Sequence, residues 1–378
     1  MKFKLNSTQA RLYGLLQSVC GVIRRHGTFP ILGNVLIQTH TDGRITAVGS
    51  DLEIEIIATQ RVGDFTGSLS TTVECKKLLD ILQTMSSDEE VSLELDDKDN
   101  LILRGANGKY KLACLDAADY PRLETAPNFD ETFQITQKVL KGMIDRTSFA
   151  MAVADIRYYL IGTQLVVDGG NLSIYATDGH RLAMDVVAVK STIPSRREVI
   201  VPRKSVLELK RLMRSKDDIV DVQLALNQTR ICFDEVEFVT KLVEGKFPDT
   251  QRILPKLKAD KVTVSRSDLL LAVQRADIIM DQRIHGVRMV IERDLVSGQL
   301  KIESVNDKNE SVDLTMRVDF HGPRVEIGFN SKYLLDALPT MEGDNIVLAF
   351  ADTPDPGPAL ITLEHNSSFQ YILMPLKL

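Results

Sequence analysis

Phe3-Lys4-Leu5, Phe133-Gln134-Ile135 and Val262-Thr263-Val264 are three short alternating stretches, and each opens the same succession of elements. Their period of two is that of a half-buried strand. Each runs into a helical stretch, over 12–23, 139–151 and 269–280. Two strands follow with an Asp near the crossing: Asp51 within 46–58, Asp178 within 173–187 and Asp307 within 301–318. A second strand–helix unit comes next: Val73 into 76–85, Val199-Ile200-Val201 into 204–213, and Val325-Glu326-Ile327 into 333–338. Two further strands close each copy. The repeat spans roughly 130 residues, far above the period of solenoids and propeller blades, so each copy is a domain.

The order of elements predicts domains over 1–128, 129–257 and 258–378, with junctions where Pro and charge break the strand pattern, near 121–130 and 247–258. Strands outnumber helices and are joined by hairpin chemistry at Asp42-Gly43, Asn107-Gly108, Gly169-Gly170-Asn171 and Ser297-Gly298. That predicts an α+β fold, each copy an antiparallel sheet layer with two helices on one face. Pro354, Pro356, Gly357 and Pro358 predict a stiff surface loop inside the third copy.

The 378 residues suffice for three domains, and 44% apolar with 26% charged residues lets each bury a core. No apolar run is long enough to span a bilayer. Cys20, Cys75, Cys114 and Cys232 are widely spaced without a CxxC pair, and Cys20 and Cys114 sit in apolar contexts. Buried, reduced thiols in a cytoplasmic protein are therefore expected. The absence of Trp and only 6% aromatics argue against a stacking surface for single strands.

A net charge of −6 counts against nucleic-acid binding until its distribution is read. The first helical region carries Arg11, Arg24 and Arg25 and no acid. The stretch 203–214 carries Arg203, Lys204, Lys210, Arg211 and Arg214 against Glu208 alone. Lys76 and Lys77 open another helix, and Lys138, Lys141 and Arg146 lie on the third. Acids gather in turns and strands, as in Asp88-Glu89-Glu90, Asp96-Asp97 and Asp217-Asp218, and the bias weakens in the third copy. Basic helices on an acidic protein suit a phosphate backbone.

Catalytic signatures are missing: no phosphate-cradling GxxxxGK[ST], no GxGxxG after a strand and no HExxH. The six His are scattered without metal-ligand spacing, and 96–100 lacks the Gly and Glu of a calcium loop. No cofactor or metal is indicated. In Thr177-Asp178-Gly179-His180-Arg181-Leu182, Asp178 and His180 form the one conceivable acid–base pair, that of a hydrolase or nuclease. No nucleophile or metal accompanies them, and Asp-Gly reads better as a tight turn walling a groove. At the C-terminus, Tyr371-Ile372-Leu373 should complete a sheet. Pro375 cannot donate to a ladder, so 374–378 should leave the sheet and offer Met and Leu to an apolar peptide.

Phe29-Pro30-Ile31-Leu32-Gly33-Asn34, Ile156-Arg157-Tyr158-Tyr159-Leu160-Ile161-Gly162, Val201-Pro202-Arg203-Lys204, Lys246-Phe247-Pro248-Asp249, the 176–183 segment and the Met-Pro tail resemble, in order along the whole chain, the bacterial DNA polymerase III beta subunit family of sliding clamps. The resemblance implies a head-to-tail homodimer, a ring of six similar domains with helices lining the hole and sheets outside. It implies a non-catalytic processivity factor in the cytoplasm, associated with the nucleoid during replication. Its partners would be double-stranded DNA encircled without regard to sequence, the polymerase III alpha subunit and other polymerases, and the clamp loader, with no membrane. Carried over to this chain, the duplex contacts fall on Arg24, Arg25, Lys76, Lys77, Tyr158, Tyr159, Arg203 and Lys204. Where family members often carry a polar residue before the Arg-Tyr-Tyr run, this chain has Val153-Ala154-Asp155.

The implied partner-peptide groove comprises Leu160, Thr177, Gly179, His180, Arg181, Leu182, Pro248, Ile253, Ile372, Met374, Pro375, Leu376 and Lys377, flanked by Pro358. Leu376 and Lys377 stand where Met and Arg are familiar. The dimer contact would join Tyr110 and Leu112 to Ile278 and Ile279. The competing readings are the hydrolase or nuclease on Asp178 and His180, and a peptide-binding scaffold that ignores DNA.

Overall fold

The computed structural model describes residues 3–23, 29–280, 285–293, 297–353 and 357–377. The first copy runs β1 (Phe3–Thr8), α1 (Gln9–Cys20), β2 (Asn34–Thr39), β3 (Ile45–Ser50), β4 (Ile54–Gln60), β5 (Gly63–Gly67) and β6 (Ser70–Glu74). It continues through α2 (Cys75–Gln83), β7 (Glu90–Leu95), β8 (Leu101–Gly105), β9 (Gly108–Leu112) and the short β10 (Cys114–Leu115). The second has β11 (Glu131–Thr136), α3 (Gln137–Thr147), β12 (Gly162–Asp168), β13 (Asn171–Thr177), β14 (Arg181–Ala188), β15 (Lys190–Ser191) and β16 (Arg197–Pro202). It ends with α4 (Arg203–Leu212), β17 (Ile219–Leu224), β18 (Gln228–Phe233) and β19 (Val236–Lys241). The third has β20 (Leu257–Ser265), α5 (Arg266–Ile279), β21 (Gly286–Arg293), β22 (Gly298–Val305), β23 (Ser311–Val318) and β24 (Val325–Asn330). It closes with α6 (Ser331–Ala337), β25 (Asn345–Ala351), β26 (Ala359–Leu363) and β27 (Gln370–Leu373). The two strand–helix units of each copy appear in the expected order in all three, but each is followed by three or four strands where two were expected, and each strand pairing is antiparallel.

Helix periodicity explains the packing. Leu12, Leu15, Leu16 and Val19 are the buried stripe of α1, and Leu269, Ala272, Val273 and Ala276 that of α5. Each fully buried Leu contributes about 2 kcal/mol. The first turn of the leading helix is satisfied alike in all three copies, by a carbonyl from the segment beyond the second helix. Gln9 N–H donates to Glu89 O, Gln137 N–H to Asp218 O and Arg266 N–H to Asp344 O. α1 has no side-chain cap, whereas Thr136 Oγ1 accepts from Val139 N–H (3.4 Å) at α3 and Ser265 Oγ from Asp268 N–H (3.3 Å) at α5; with the long-range caps, the three helices start two or three residues before the expected stretches.

By contacts the chain divides into two compact units. One comprises Met1–Val139, Lys190–Ile193 and Arg211–Leu242. It holds a five-stranded sheet, β5-β1-β7-β8-β9, and a ten-stranded sheet, β10-β6-β2-β3-β4-β19-β18-β17-β11-β15. In the latter, β4 pairs with β19 (Ala58 opposite Val236), so the first copy runs into the second without a break. The linker is strapped across that seam. Buried Glu55 takes both the Arg122 guanidinium (2.8 and 2.9 Å) and the Leu123 N–H (3.0 Å). Gln228 then binds Glu124 O at 2.6 Å and Ala126 N–H at 2.9 Å.

The other unit comprises Leu140–Val189, Pro194–Lys210 and Val243–Leu378. Its eight-stranded sheet, β16-β12-β13-β14-β27-β26-β25-β20, joins second copy to third where Leu182 stands opposite Ile372. Its four-stranded sheet is β23-β22-β21-β24.

Cys20, the last residue of α1, lies beside Cys75, the first of α2, with Cα atoms 6.2 Å apart. Cys114 and Cys232 are free. Two further expectations are corrected. The third copy's turn is organised by Asn306, not Asp307. Asn306 Oδ1 accepts from Lys308 and Glu310 N–H, as Asp51 accepts from Glu53 and Ile54 and Asp178 from His180 and Arg181. The tail does not simply leave the sheet: Leu376 N–H bonds Gly328 O at 2.8 Å and lies along β24. Pro354 and Pro356 of the expected surface loop lie outside the described residues.

Candidate functional site

The turn between β13 and β14 holds the centre of the expected groove. Asp178 Oδ1 accepts from His180 N–H (2.9 Å) and Arg181 N–H (3.1 Å). Thr177 Oγ donates to Arg181 O at 2.6 Å and accepts from Gly179 N–H at 3.1 Å. Gly179 has φ of +93°, and a Cβ there would meet the Arg157 guanidinium at 3.1 Å, so the position needs glycine. Gly179 and His180 are thereby held exposed. The same bonds remove the acid–base pair. The Asp178 carboxylate serves two backbone N–H groups and, through Oδ2, Arg181 Nε at 2.9 Å.

Arg181 supports the groove from beneath. It is 9% exposed; Nη1 donates to Asp336 Oδ2 at 2.7 Å and Nη2 to Phe149 O at 2.8 Å. Its guanidinium lies 4.3 Å from the Tyr333 ring centroid and 5.6 Å from that of Phe149. Burial works against the charge, but Tyr371, Asp336 and Asp178 outweigh it and push the pKa up. Leu160, Thr177, Leu182 and Ile372 are buried with it and make the floor. Leu160 packs with Ala152, Ile200 and Phe247, next to Pro248.

Met374 N–H bonds His180 O at 3.0 Å, which sets the tail beside the turn. Ala359 stands opposite Leu373, bringing Pro358 alongside Met374. Pro248, Ile253, Met374 and Pro375 are half-buried, and Leu376 and Lys377 exposed. Ile253 follows the 3-10 turn Thr250–Arg252, its N–H on Thr250 O. Sequence reasoning missed Arg157, Phe149, Tyr333 and Asp336 as members of this site. Arg157 stood beside a Tyr already singled out; the other three are distant in sequence and carried no signal.

Among the residues expected at the duplex, Lys76 sits 3.1 Å from Asp80 and Lys77 pairs with Glu74, both largely exposed. Tyr158 is exposed and Tyr159 half-buried, their rings edge to face at 5.9 Å. Arg203 and Lys204 are half-buried at the start of α4. Arg203 Nη1 donates to Met151 O at 3.3 Å, and burial, with Arg181 adding to it, lowers its pKa. Arg24 and Arg25 lie outside the described residues. Other helix cations are neutralised internally. Lys141 and Lys210 share Asp145 (2.6 and 2.9 Å), which they hold ionised against its burial. Arg146 pairs with fully buried Asp185. The loop before Tyr158 is apolar at its tip, with Ile156 98% exposed. It is anchored by Asp155, which binds Arg157 Nε and Nη2 (3.0 and 2.8 Å) and has its pKa lowered to about 2 by those bonds.

Of the residues expected at a dimer contact, Tyr110 and Leu112 lie on an outer strand, and Ile278 and Ile279 end a helix beside one. β9 is an outermost strand of the five-stranded sheet; Tyr110 is exposed while Leu112 turns inward. β23 is an outermost strand of the four-stranded sheet. Ile278, 79% exposed, and half-buried Ile279 end the neighbouring α5, tied to the β22–β23 turn by Asn306 Nδ2 on Ile279 O at 3.0 Å.

Comparisons with known proteins cover this whole arrangement. Models of the DNA polymerase III beta subunit match in series: the N-terminal domain over 1–124, the central domain over 134–249 and the C-terminal domain over 251–377. The beta sliding clamp of Pseudomonas aeruginosa is 37% identical over 366 residues, 96% of each chain. That of Escherichia coli (strain K12) is 35% identical over 381 residues, spanning both chains entirely. The crystal structure of the Pseudomonas aeruginosa DNA polymerase III subunit beta superposes with a TM-score of 0.90 at 35% identity, covering 99% of this chain and 100% of that one. The Bacillus subtilis sliding clamp gives 0.90 at 25% identity over the full length of both. With three domain matches in register and relatives alike from end to end, the chain belongs to the DNA polymerase III beta subunit family, the bacterial sliding clamps.

Proposed function

We infer that two copies of this chain close head to tail into a ring that encircles duplex DNA and tethers the replicative polymerase to its template. One observation carries the reading. Sheets run unbroken from first copy to second at β4–β19 and from second to third at β14–β27, while the sheets confined to the first and third copies have outer strands at β9 and β5 and at β23 and β24, of which β9 carries Tyr110 and β23 neighbours Ile278. A second chain offers the complementary edge at each, and ring closure removes exposed edges that would otherwise recruit strands indiscriminately. The three domains, over 1–128, 129–257 and 258–378, then become six around the hole.

Held by topology, the ring needs only loose, sequence-blind phosphate contacts, for which Lys76, Lys77, Tyr158, Tyr159, Arg203 and Lys204 are suited. Arg24 and Arg25 complete the set. The groove from Gly179 and His180 to Lys377 would take short apolar motifs of the polymerase III alpha subunit, other polymerases and the clamp loader. Tethering raises their effective concentration at the primer end, which is processivity without catalysis. No helix among the described residues is long and apolar enough to cross a membrane, and we place the protein in the cytoplasm, at the nucleoid.

Loading onto a nicked circular duplex tests this. The protein should stay on the circle through gel filtration at high salt and leave when a restriction enzyme linearises it. Release by salt alone, from circle and linear DNA equally, would contradict encirclement.

A further inference from the structure

We propose that the seam between first and second copies carries a duplicate of the peptide groove, filled by Leu123 of the chain's own linker, and that this duplicate takes a short apolar peptide in trans once the linker is displaced. The inference rests on reading the Gly179–Lys377 groove as a peptide site.

The two seams repeat one another at their turns. Asp51 Oδ1 accepts from the Glu53 and Ile54 N–H groups, as Asp178 Oδ1 does from those of His180 and Arg181. Ser50 Oγ accepts from Leu52 N–H at 3.2 Å, as Thr177 Oγ does from Gly179 N–H at 3.1 Å. Leu52 has φ of +73°, the left-handed conformation that Gly179 holds at +93°, and is exposed. The neighbouring strand follows suit: Lys241 N–H bonds Glu53 O at 2.9 Å where Met374 N–H bonds His180 O at 3.0 Å. In register, Glu55 opposite Val239 takes the place of Leu182 opposite Ile372.

That exchange of Leu for Glu separates the two seams. Both linkers start with a buried aromatic followed by Pro, as Tyr120-Pro121 and Phe247-Pro248. After Pro248 the linker closes on itself: Asp249 pairs with Arg252 at 3.0 Å, and Ile253 N–H bonds Thr250 O beside a 3-10 turn. Leu182 offers it no polar anchor. After Pro121 the linker instead reaches across to Glu55. Arg122 Nε and Nη2 bind its two oxygens at 2.8 and 2.9 Å, and Leu123 N–H takes one of them at 3.0 Å. Glu55 is 2% exposed, and a carboxylate so buried requires these partners. The Leu123 side chain goes in with them, 6% exposed. A charge clamp thus seats an apolar side chain where a docking motif would place its own. Tethered, Leu123 acts at a high effective concentration, so a free peptide competes poorly until the clamp is released. The chain thereby offers one groove and withholds its duplicate.

Amide exchange tests this on the full-length protein and on Arg122→Ala/Leu123→Ala, which keeps the Tyr120 anchor, each with a heptapeptide of sequence 120–126 added. In the variant the peptide should slow exchange about tenfold across 50–55 and 239–242, and the same peptide carrying Leu123→Ala should not. The parent should show no slowing there. Glu55→Leu, which copies the Leu182 arrangement, should release the linker with its sequence intact, so that the Leu123 amide exchanges about tenfold faster than in the parent. No peptide protection in the double variant, equal protection by the altered peptide, or an unchanged Leu123 amide in Glu55→Leu would overturn the proposal. Adding the polymerase III alpha subunit to the parent and following 177–182 and 374–377 reports separately on the Gly179–Lys377 groove, so failure of that reading is not mistaken for failure at the first seam.

Discussion

Arg181 donates to Asp178, Asp336 and the Phe149 carbonyl while lying on the Tyr333 ring, and Asp178 in turn shapes the turn that exposes His180. Arg181→Met would leave the poorly exposed Asp178 carboxylate without its counter-charge, and a broken buried pair costs about 3 kcal/mol. Denaturant unfolding should show that loss, and Arg181→Lys should recover only a minority of it, since an ammonium cannot serve three acceptors in a plane. A change of less than ~0.5 kcal/mol would mean that the guanidinium is dispensable.

The sequence brought Arg181 into view through its neighbours but as a peptide contact. Its burial depends on Asp336, 155 positions away, which no local pattern reveals. Asp155 supports a pH prediction. Its folded pKa, about 2, lies below the ordinary 3.8, so its contribution to the loop is fully present above the ordinary value and is lost as pH falls through the folded one. A carboxyl-carbon NMR titration should therefore place its midpoint near 2 rather than near 3.8.

Helices and strands were the most legible scale. Apolar spacing located the six α-helices found among the described residues, and hairpin residues located the turns, because both depend on neighbours in sequence. Boundaries were not legible. The N–H groups that begin α1, α3 and α5 are met by Glu89, Asp218 and Asp344 carbonyls, roughly 80 residues downstream in each copy. The shared plan also misled at the third copy, where Asp307 matched the pattern while Asn306 does the bonding. An amide can do what the carboxylates of Asp51 and Asp178 cannot: Nδ2 also donates to Ile279 O and links the turn to the end of α5. Asn306→Ala should cost about 2 kcal/mol, from several bonds of about 1 kcal/mol each, some left unsatisfied. Asn306→Asp should keep the turn but lose the link, and so weaken self-association more than folding. Equal self-association of Asn306→Asp and the parent protein by sedimentation would contradict that division.

At the scale of the molecule, the order of elements carried the fold, and the charge sorting carried the first hint of a phosphate partner. What charge sorting overstated was the number of cations available. Lys141, Lys210 and Arg146 are engaged with Asp145 and Asp185, pairings set by tertiary packing. The seams at β4–β19 and β14–β27 were invisible in sequence, since strand order in a sheet is not written in strand order along a chain. They make self-closure the central claim, because β9 and β23 are outer strands of sheets confined to the first and third copies, with Ile278 exposed beside β23. Sedimentation equilibrium of the parent protein and of Ile278→Asp measures this directly. The parent should show twice the 42.2 kDa chain mass and the variant a folded single chain. A parent that is monomeric at micromolar concentration, or a variant that stays dimeric, would contradict closure through these edges.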